Sequence, residues 1–411
     1  MHGSSAPTPY VGLDIGTSTV RCVIGVVDAA NPNKLSIVGH GSAANLGMRK
    51  GVVVHVDDAS DAIAQAITEA ERLSGIRVQG ATVNINGTHV SGLNSKGVIA
   101  ISAANREITS DDRLRVEEAA TIVQLPSNRE IIQVFAQNYR LDGQENIKDP
   151  VGMHGVRLEV DTHIVTAATP SLRNLDMAMD KAQISPHNHT LSGLAASEAV
   201  LQRQQKEAGT VLLDIGASTT NLAVLEDGEV QHVAVLPMGG QHITNDLAIG
   251  LRTELDIAEA VKIQHAGLMK ASGKRDIRLK MRGQEHIFKA EDIAMITEAR
   301  VEELFEFVNK ELARIHKEHK LPGGVVLVGG TAKLPGIAEF AKQQLQLASR
   351  VGKLQPLSGL VDTVTDPAYC TAVGLMLLDM LLLPEVAPVR GNPATDRTLH
   401  FVDSLLRRFR R

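Results

Sequence analysis

The chain of 411 residues contains no Trp, and aromatic residues make up only 2% of it. So few rings cannot line a stacking platform for single-stranded nucleic acid, and a formal net charge of −5 offers no basic surface to a phosphate backbone. Cysteine is nearly absent too. Cys22 and Cys370 cannot build a disulfide framework, and each sits in an apolar run, which predicts two buried free thiols in a reducing compartment. The opening residues MHGSSAPTPY have no hydrophobic signal core, so the chain is expected to stay in the cytoplasm. The apolar helix expected at 371–383 is too short for a bilayer and contains Asp379. Neither GxxxxGK[ST] nor GxGxxG occurs. The His residues are scattered; His187 with His189 and His316 with His319 are close pairs, but neither has a third ligand nearby.

What is present is a duplication. Val11 to Val20 reads VGLDIGTSTV and Val211 to Thr220 reads VLLDIGASTT, so seven of ten positions match. In each copy an apolar run ends in Asp, then Gly, then hydroxyl residues: a buried strand feeding a tight turn. Glycine lets backbone approach a ligand closely, and the following N–H and hydroxyl groups can surround phosphate oxygens. Asp14 and Asp214 are suited to hold hydrated Mg2+ beside such phosphates. A length of 411 residues favours two or more domains, and the repeat implies two related halves closing on a nucleotide.

In chain order, residues 11–28 read as a hairpin, and 57–74 as a helix capped by Asp58 or Ser60 and closed by Gly75. From 87 to 166 the texture becomes that of a small α+β insertion without a cluster of ligands or nucleophiles. LSGLAASEAVL, 191–201, is a small-residue helix able to pack closely beneath a cleft. The second half repeats the hairpin at 210–235, followed by Gly239 and Gly240 turning into a helix capped around Thr244. Residues 256–318 are mostly helical and charged, and the strand at 325–328 runs into Gly329, Gly330 and on to Leu334 and Pro335.

Residues 384–397, PEVAPVRGNPATDR, read as a flexible linker, and TLHFVDSLLRRFRR follows. Leu399, Phe401, Val402, Leu405, Leu406 and Phe409 fall within an arc of about 160°, opposite Arg407, Arg408, Arg410 and Arg411. This is the pattern of a helix lying in an anionic membrane surface; docking on a partner protein is the other reading. Each Arg near an anionic leaflet contributes roughly 1 kcal/mol, part of which is lost in ordering the tail. One tail therefore binds reversibly, and several linked in a polymer gain roughly 10²–10⁴-fold in avidity.

The paired DIG turns, VGGTAKLPG and the small-residue helix resemble the actin, Hsp70 and sugar-kinase superfamily, whose halves clamp ATP. More narrowly, KGVVVHVDDASDAIAQAITEAERLSG, SKGVIAIS, YRLDGQENIKDPVGMHGVRLEV and LDIAEAVKIQHAG resemble the bacterial FtsA cell-division family. The resemblance covers residues 9–411. It implies an α/β fold of duplicated actin-like, ribonuclease H-like domains around a nucleotide cleft, with an inserted subdomain and a C-terminal amphipathic helix. The subdomains it implies are 9–86 with 167–208, the insertion 87–166, 209–243 with 323–383, and 244–322; the linker 384–397 and the helix 398–411 complete the chain.

Position by position, the resemblance places Asp14, Gly16, Thr17 and Ser18 in the first phosphate loop and Asp214, Gly216, Ser218 and Thr219 in the second. It places Gly239 and Gly240 near phosphates and ribose, Glu259 and Lys262 at ribose and base, and Gly329, Gly330 and Leu334 around adenine. Glu259 also stands three residues after Asp256, the spacing of a capping box that needs no ligand. Many superfamily members carry Lys in the first loop where this chain has Thr19; Arg21, on the returning strand, is expected to point elsewhere. The second loop has Ser218 where glycines are frequent. No general base stands out, Glu198 being a candidate by location alone, so ATP with Mg2+ is expected to act as an assembly ligand with slow hydrolysis at most.

The implied role is a polymer on the inner face of the membrane that anchors FtsZ and recruits later division proteins through 87–166. Arg300 and Asn309 are the implied contacts for the FtsZ C-terminal peptide. The actin-like protein of type IV pilus assembly is the nearer alternative, and a small-molecule kinase the more distant one. The pilus family is not expected to share DGQENIKDPVG or the basic tail. A chaperone of the Hsp70 type is disfavoured, because only a linker and a short helix follow the nucleotide-binding body.

Overall fold

A computed structural model describes residues 8–28, 31–102, 105–268 and 276–382. The expected linker and the basic amphipathic helix, with Leu399 to Arg411, lie outside the described residues.

The duplication in sequence is a duplication in space. The first sheet runs, in spatial order, Ser185–Leu191, Gly80–Ile85, Pro9–Ile15, Thr19–Asp28, Asn31–Ala44, with Ser358–Gly359 at its far edge. The second runs Ser349–Val351, Gly324–Val328, Thr210–Ile215, Thr220–Glu226, Glu229–Leu236. In both, the DIG strand pairs antiparallel with its hairpin partner on one side and parallel with a later strand on the other. Both DIG strands are sandwiched, and this explains their apolar runs: Leu13, Ile15, Leu213 and Ile215 are fully buried.

Helix Val56–Ser74 covers the first sheet and ends at Gly75, whose φ of 70° permits the left-handed closing turn. Its N-cap is His55 with no side-chain bond, so Asp58 and Ser60 lie inside the helix instead of capping it. Two helices join the halves. Ser192–Val200 leaves the first sheet and packs against strands 210–215 and 220–226 of the second. Cys370–Leu382 leaves the second half and returns onto the first sheet.

Asp379, in that returning helix, is wholly buried. Its carboxylate accepts the Val11 N–H at 2.8 Å and the Thr82 hydroxyl at 2.7 Å, and lies 2.9 Å from His187 Nδ1. A charge in an apolar helix thus ties the last described helix to the first sheet. Cys22 and Cys370 are buried free thiols, and burial pushes each up to about 12. Among the described residues no helix is long and apolar enough to cross a membrane.

The insertion forms an antiparallel sheet in the order Ser91–Ala100, Arg157–Ala168, Arg129–Leu141, Gln144–Ile147. Helix Ser110–Ala120 lies on it, opened by a capping box between Thr109 and Asp112. The insertion also touches the edge strand of the second sheet. Gln137 Nε2 donates to the carbonyls of Val230 and Gln231 at 3.1 and 2.8 Å, and His163 Nε2 accepts the Val233 N–H at 3.2 Å. Burial, with His232 beside it, holds His163 down at about 3, so the ring is neutral and keeps that acceptor.

The shorter segment between the charged helices is a hairpin, Asp276–Met281 with Gln284–Lys289, turned by Arg282 and Gly283 at φ 52° and 78°. Helix Ala290–Arg314 follows it, and Val301, Leu304, Phe305, Val308 and Leu312 form its buried stripe.

Candidate functional site

Where the ends of the two DIG hairpins face each other, a cleft of about 360 Å³ opens. The two turns have one geometry: the Gly16 N–H donates to the Thr19 carbonyl at 3.2 Å, and the Gly216 N–H to the Thr219 carbonyl at 2.9 Å. The turns touch across the cleft, the Ser218 hydroxyl donating to Thr17 Oγ1 at 2.8 Å. Behind them, Asn86 Oδ1 accepts the Thr219 hydroxyl at 2.9 Å, and Gly51 donates to Thr17 Oγ1 at 3.1 Å. The backbone N–H groups of Thr17, Ser18, Ala217 and Ser218 donate to no acceptor among the described residues. Two nests of unspent donors, held by neighbouring side chains and facing one another, are suited to a polyanion.

Asp14 and Asp214 line the same cleft. Asn84 Nδ2 donates to Asp14 Oδ1 at 2.8 Å, and the Thr371 hydroxyl donates to Asp214 Oδ2 at 3.0 Å. The other oxygen of each carboxylate accepts no hydrogen bond among the described residues. Burial pushes the Asp14 carboxyl up to about 7, against the pull of Arg21 and with a push from Asp214. Burial raises Asp214 to about 6, opposed by Thr371 and Arg21. Such a pair favours a cation that would share its charge.

The second half's own turn props up its loop. The Gly240 N–H donates to the Gly216 carbonyl at 2.9 Å, Gln241 N–H to the Ala217 carbonyl at 2.6 Å, and the Thr331 hydroxyl to the Gly216 carbonyl at 3.0 Å. Gly239 is the N-cap of helix Gly240–Gly250, so the helix begins earlier than expected and Thr244 lies within it. Lys262 Nζ donates to the Gly240 carbonyl at 3.1 Å, to Thr244 Oγ1 at 2.9 Å and to Glu259 Oε2 at 2.6 Å, and Thr244 also bonds Glu259. Glu259 therefore does not complete a capping box: helix Leu255–His265 starts after Glu254 without a side-chain cap.

Lys262→Met should weaken this knot by about 1–3 kcal/mol, because it removes the ammonium that ties Glu259 to the Gly240 carbonyl and the Thr244 hydroxyl. Thermal melts of the two proteins measure it. Coincident curves would mean the knot adds nothing.

Of the expected residues, Asp14, Gly16, Thr17, Ser18, Asp214, Gly216, Thr219, Gly240, Glu259, Lys262, Gly329, Gly330 and Leu334 line the cleft. Ser218 and Gly239 are not lining residues: Ser218 bonds Thr17 of the facing turn, and Gly239 packs against the Gly216 and Ala217 carbonyls. Gly330 has nothing within 4 Å on its side-chain side, leaving open space against bare backbone. Glu198 is not in the cleft lining; it accepts from Lys206 Nζ at 2.7 Å in a largely buried ion pair. Arg300 is bonded to Asp246 at 2.5 and 3.0 Å and to Glu303 at 2.5 Å, and Asn309 donates to the Gln344 carbonyl at 3.2 Å.

Arg21 departs from expectation. It lines the cleft, as do Asn86, Ile243, Ile263, Thr331 and Lys333, none of which sequence reasoning singled out. The signal for Arg21 was available: it is the cross-strand partner of Asp14, and directly paired residues share a face of the sheet.

Comparison with known proteins decides the family. The family model described as cell division protein FtsA matches residues 211–374, and that of the SHS2 domain inserted in FtsA matches 87–166. The cell division protein FtsA of Pseudomonas aeruginosa is 38% identical over 371 residues, 89% of this chain and 88% of the relative. The chain belongs to the FtsA family of cell-division proteins. FtsA of Bacillus subtilis is likewise 38% identical over 371 residues, covering 89% of this chain and 82% of that one, and FtsA of Escherichia coli K12 is 30% identical over 377.

Solved structures agree on an actin-like fold. A PilM–PilN type IV pilus biogenesis complex aligns with TM-score 0.65 at 17% identity, over 91% of this chain and 99% of that one. MreB5 of Spiroplasma citri, bound to ADP, aligns with TM-score 0.52 at 13% identity, over 90% and 96%. At such identities the likeness is one of fold, so the pilus alternative yields to FtsA membership.

Proposed function

We propose that this FtsA-family chain is a nucleotide-dependent adaptor: it binds ATP with Mg2+ between its halves, self-associates, lies on the cytoplasmic face of the membrane at the division site and tethers FtsZ there. The observation that carries the nucleotide part is the facing pair of turns, with unspent N–H groups on both sides of one cleft and a free carboxylate oxygen beside each. MreB5, of the same fold, holds ADP.

The donor set fits the ligand. Thr17, Ser18, Ala217 and Ser218 offer amides to phosphates, Gly330 leaves room for a planar base, and the Glu259–Lys262 pair stands at the same wall. Asp14 and Asp214 would hold Mg2+ through water, where it would neutralise phosphate charge. Among the described residues the carboxylates lining the cleft are Asp14, Asp214 and Glu259, and in this reading each serves binding, which supports a ligand that drives assembly in preference to rapid turnover.

Residues 87–166 would meet neighbouring subunits and later division proteins. Helix Ala290–Arg314 would offer its exposed face to the FtsZ C-terminal peptide, with Arg300 and Asn309 shaping that surface from within. Leu399 to Arg411 would form the membrane helix.

Flotation with anionic vesicles tests the adaptor. The intact protein with ATP should float and carry an FtsZ tail peptide with it, whereas a chain ending at Pro384 should stay in the dense fraction. Equal flotation of the two chains removes the anchor, and a peptide left behind by floating protein removes the tether.

A further inference from the structure

Strand Gly80–Ile85 is buried along its whole length, so a polar side chain in it must find its partners inside the protein. Asn84, 2% exposed, finds three. Its Oδ1 accepts the Ile15 N–H at 2.7 Å, and its Nδ2 donates to Asp14 Oδ1 at 2.8 Å and to Ser192 Oγ at 3.0 Å. The Ile15 N–H can only donate, which fixes the orientation of the amide and commits its own two hydrogens to Asp14 and Ser192. The parallel ladder with strand Pro9–Ile15 ends at Leu13 and Val83, and the Asn84 side chain takes it up one residue later.

The donor is neutral, and this decides what it can do. An ammonium or guanidinium in its place would orient Asp14 equally well but would cancel the charge that a cation in the cleft needs; an amide orients the carboxylate and leaves both its charge and its second oxygen unspent. The far side of the amide rests on Ser192, the buried first residue of the joining helix Ser192–Val200. The second half has a counterpart. Thr371, in the first turn of the other joining helix, donates to Asp214 Oδ2 at 3.0 Å. Each cleft carboxylate is thus held by an uncharged side chain and linked to the first turn of a helix that joins the halves.

We propose that Asn84 is a positioning residue of the cation site: it fixes the free oxygen of Asp14 and ties that carboxylate to the start of helix Ser192–Val200, so that the two move as one unit. The proposal rests on the reading of Mg2+ with a nucleotide in the cleft and deepens it, because the strength of the cation site then depends on a side chain that touches neither cation nor nucleotide.

Titration calorimetry of the full chain with ATP, once with saturating Mg2+ and once in EDTA, for wild type, Asn84→Ala and Ser192→Ala, tests it. Asn84→Ala should bind ATP about 10- to 100-fold more weakly with Mg2+ present and as wild type does in EDTA. Ser192→Ala, which keeps the bond to Asp14 and frees the far side of the amide, should show the same Mg2+-dependent loss at about 2- to 10-fold. Equal losses with and without Mg2+ overturn the proposal, since a general disturbance of the fold weakens both alike. Unchanged affinity in both variants overturns it too, and a loss confined to Asn84→Ala overturns the tie to the helix. If Asn84→Ala does not fold, Ser192→Ala decides: a Mg2+-dependent loss sustains the proposal and none overturns it. A wild type that gains nothing from Mg2+ removes the reading of a cation in the cleft, an outcome distinct from a wild type that gains and variants that gain equally.

Discussion

Asp14→Asn and Asp214→Asn are each expected to weaken Mg2+-dependent nucleotide binding by about 10- to 100-fold while stabilising the unliganded protein at pH 8. Both effects have one cause. Each carboxyl is buried, and its folded-state pKa, about 7 for Asp14 and about 6 for Asp214, lies well above the ordinary 3.8. Between those limits the folded protein keeps a proton that the unfolded chain has released. Stability therefore falls as pH rises from about 4 to about 7, and the cost is complete above the folded value. Asn cannot ionise, so the variants escape it. It can still accept from Asn84 or Thr371 through its amide oxygen.

A tenfold difference in proton affinity between folded and unfolded chain corresponds to about 1.4 kcal/mol, so at pH 8 the gain from either variant is on the order of 2–4 kcal/mol. At pH 4 it should vanish. A bound cation reverses the balance, because it favours the ionised pair that burial penalises; nucleotide affinity of the wild type should accordingly rise from pH 6 to pH 8. Melting curves across pH, paired with titrations of Mg-ATP, read both. A variant that melts below wild type at pH 8, or binds Mg-ATP as tightly, contradicts the account.

The parts of this molecule that repeat or alternate were legible in its sequence, and those that depend on approach in space were not. VGLDIGTSTV and VLLDIGASTT announced two equivalent hairpins, and the two central strand pairs follow from them, because an apolar strand ending in Asp-Ile-Gly reads as one that is sandwiched and then turns. The insertion was legible as a change of texture. Thr331 and Lys333 stand within VGGTAKLPG but had no role assigned, since a 3-10 turn, Gly330–Lys333, carries them into the cleft with no periodic signature. Asp379 was read only as a charge that spoils a membrane span; its actual work, accepting from Val11, Thr82 and His187, involves residues scattered over nearly the whole chain. For Arg300, expected at a peptide contact, the sequence did not disclose its bond to Asp246, which stands 54 residues away on another helix.

Gly374→Val should be among the most damaging changes to the fold, and Gly193→Ala, on the partner helix but facing the second sheet, nearly silent. Helix 370–382 crosses helix 192–200 beneath the cleft so closely that a Cβ on Gly374 would stand 1.7 Å from the Ala195 carbonyl oxygen and 2.3 Å from its carbon. These are backbone atoms, which cannot swing aside. Nor can helix 370–382 retreat toward the first sheet, since a Cβ on Gly12 would lie 2.1 Å from the Ala372 carbonyl oxygen. The helix is pinched on both sides, and a side chain at Gly374 must drive the halves apart at a cost of about 3 kcal/mol or more. The atoms nearest a Cβ on Gly193 are the Asn221 and Ala223 Cβ atoms at 3.4 and 3.6 Å and the Asn221 backbone carbon at 3.6 Å, ordinary contacts, and Ala is the better helix former. The damage at Gly374 should reach the cleft as well. Thr371, which holds Asp214, and Tyr369, which carries Arg21, stand at or just before the start of the same helix. Gly374→Ala, milder than Val, should therefore lose nucleotide affinity even in protein that remains folded, whereas Gly193→Ala keeps both its melting point and its affinity. If Gly374→Ala loses stability but binds Mg-ATP like wild type, the helix crossing supports the fold without setting the geometry of the cleft.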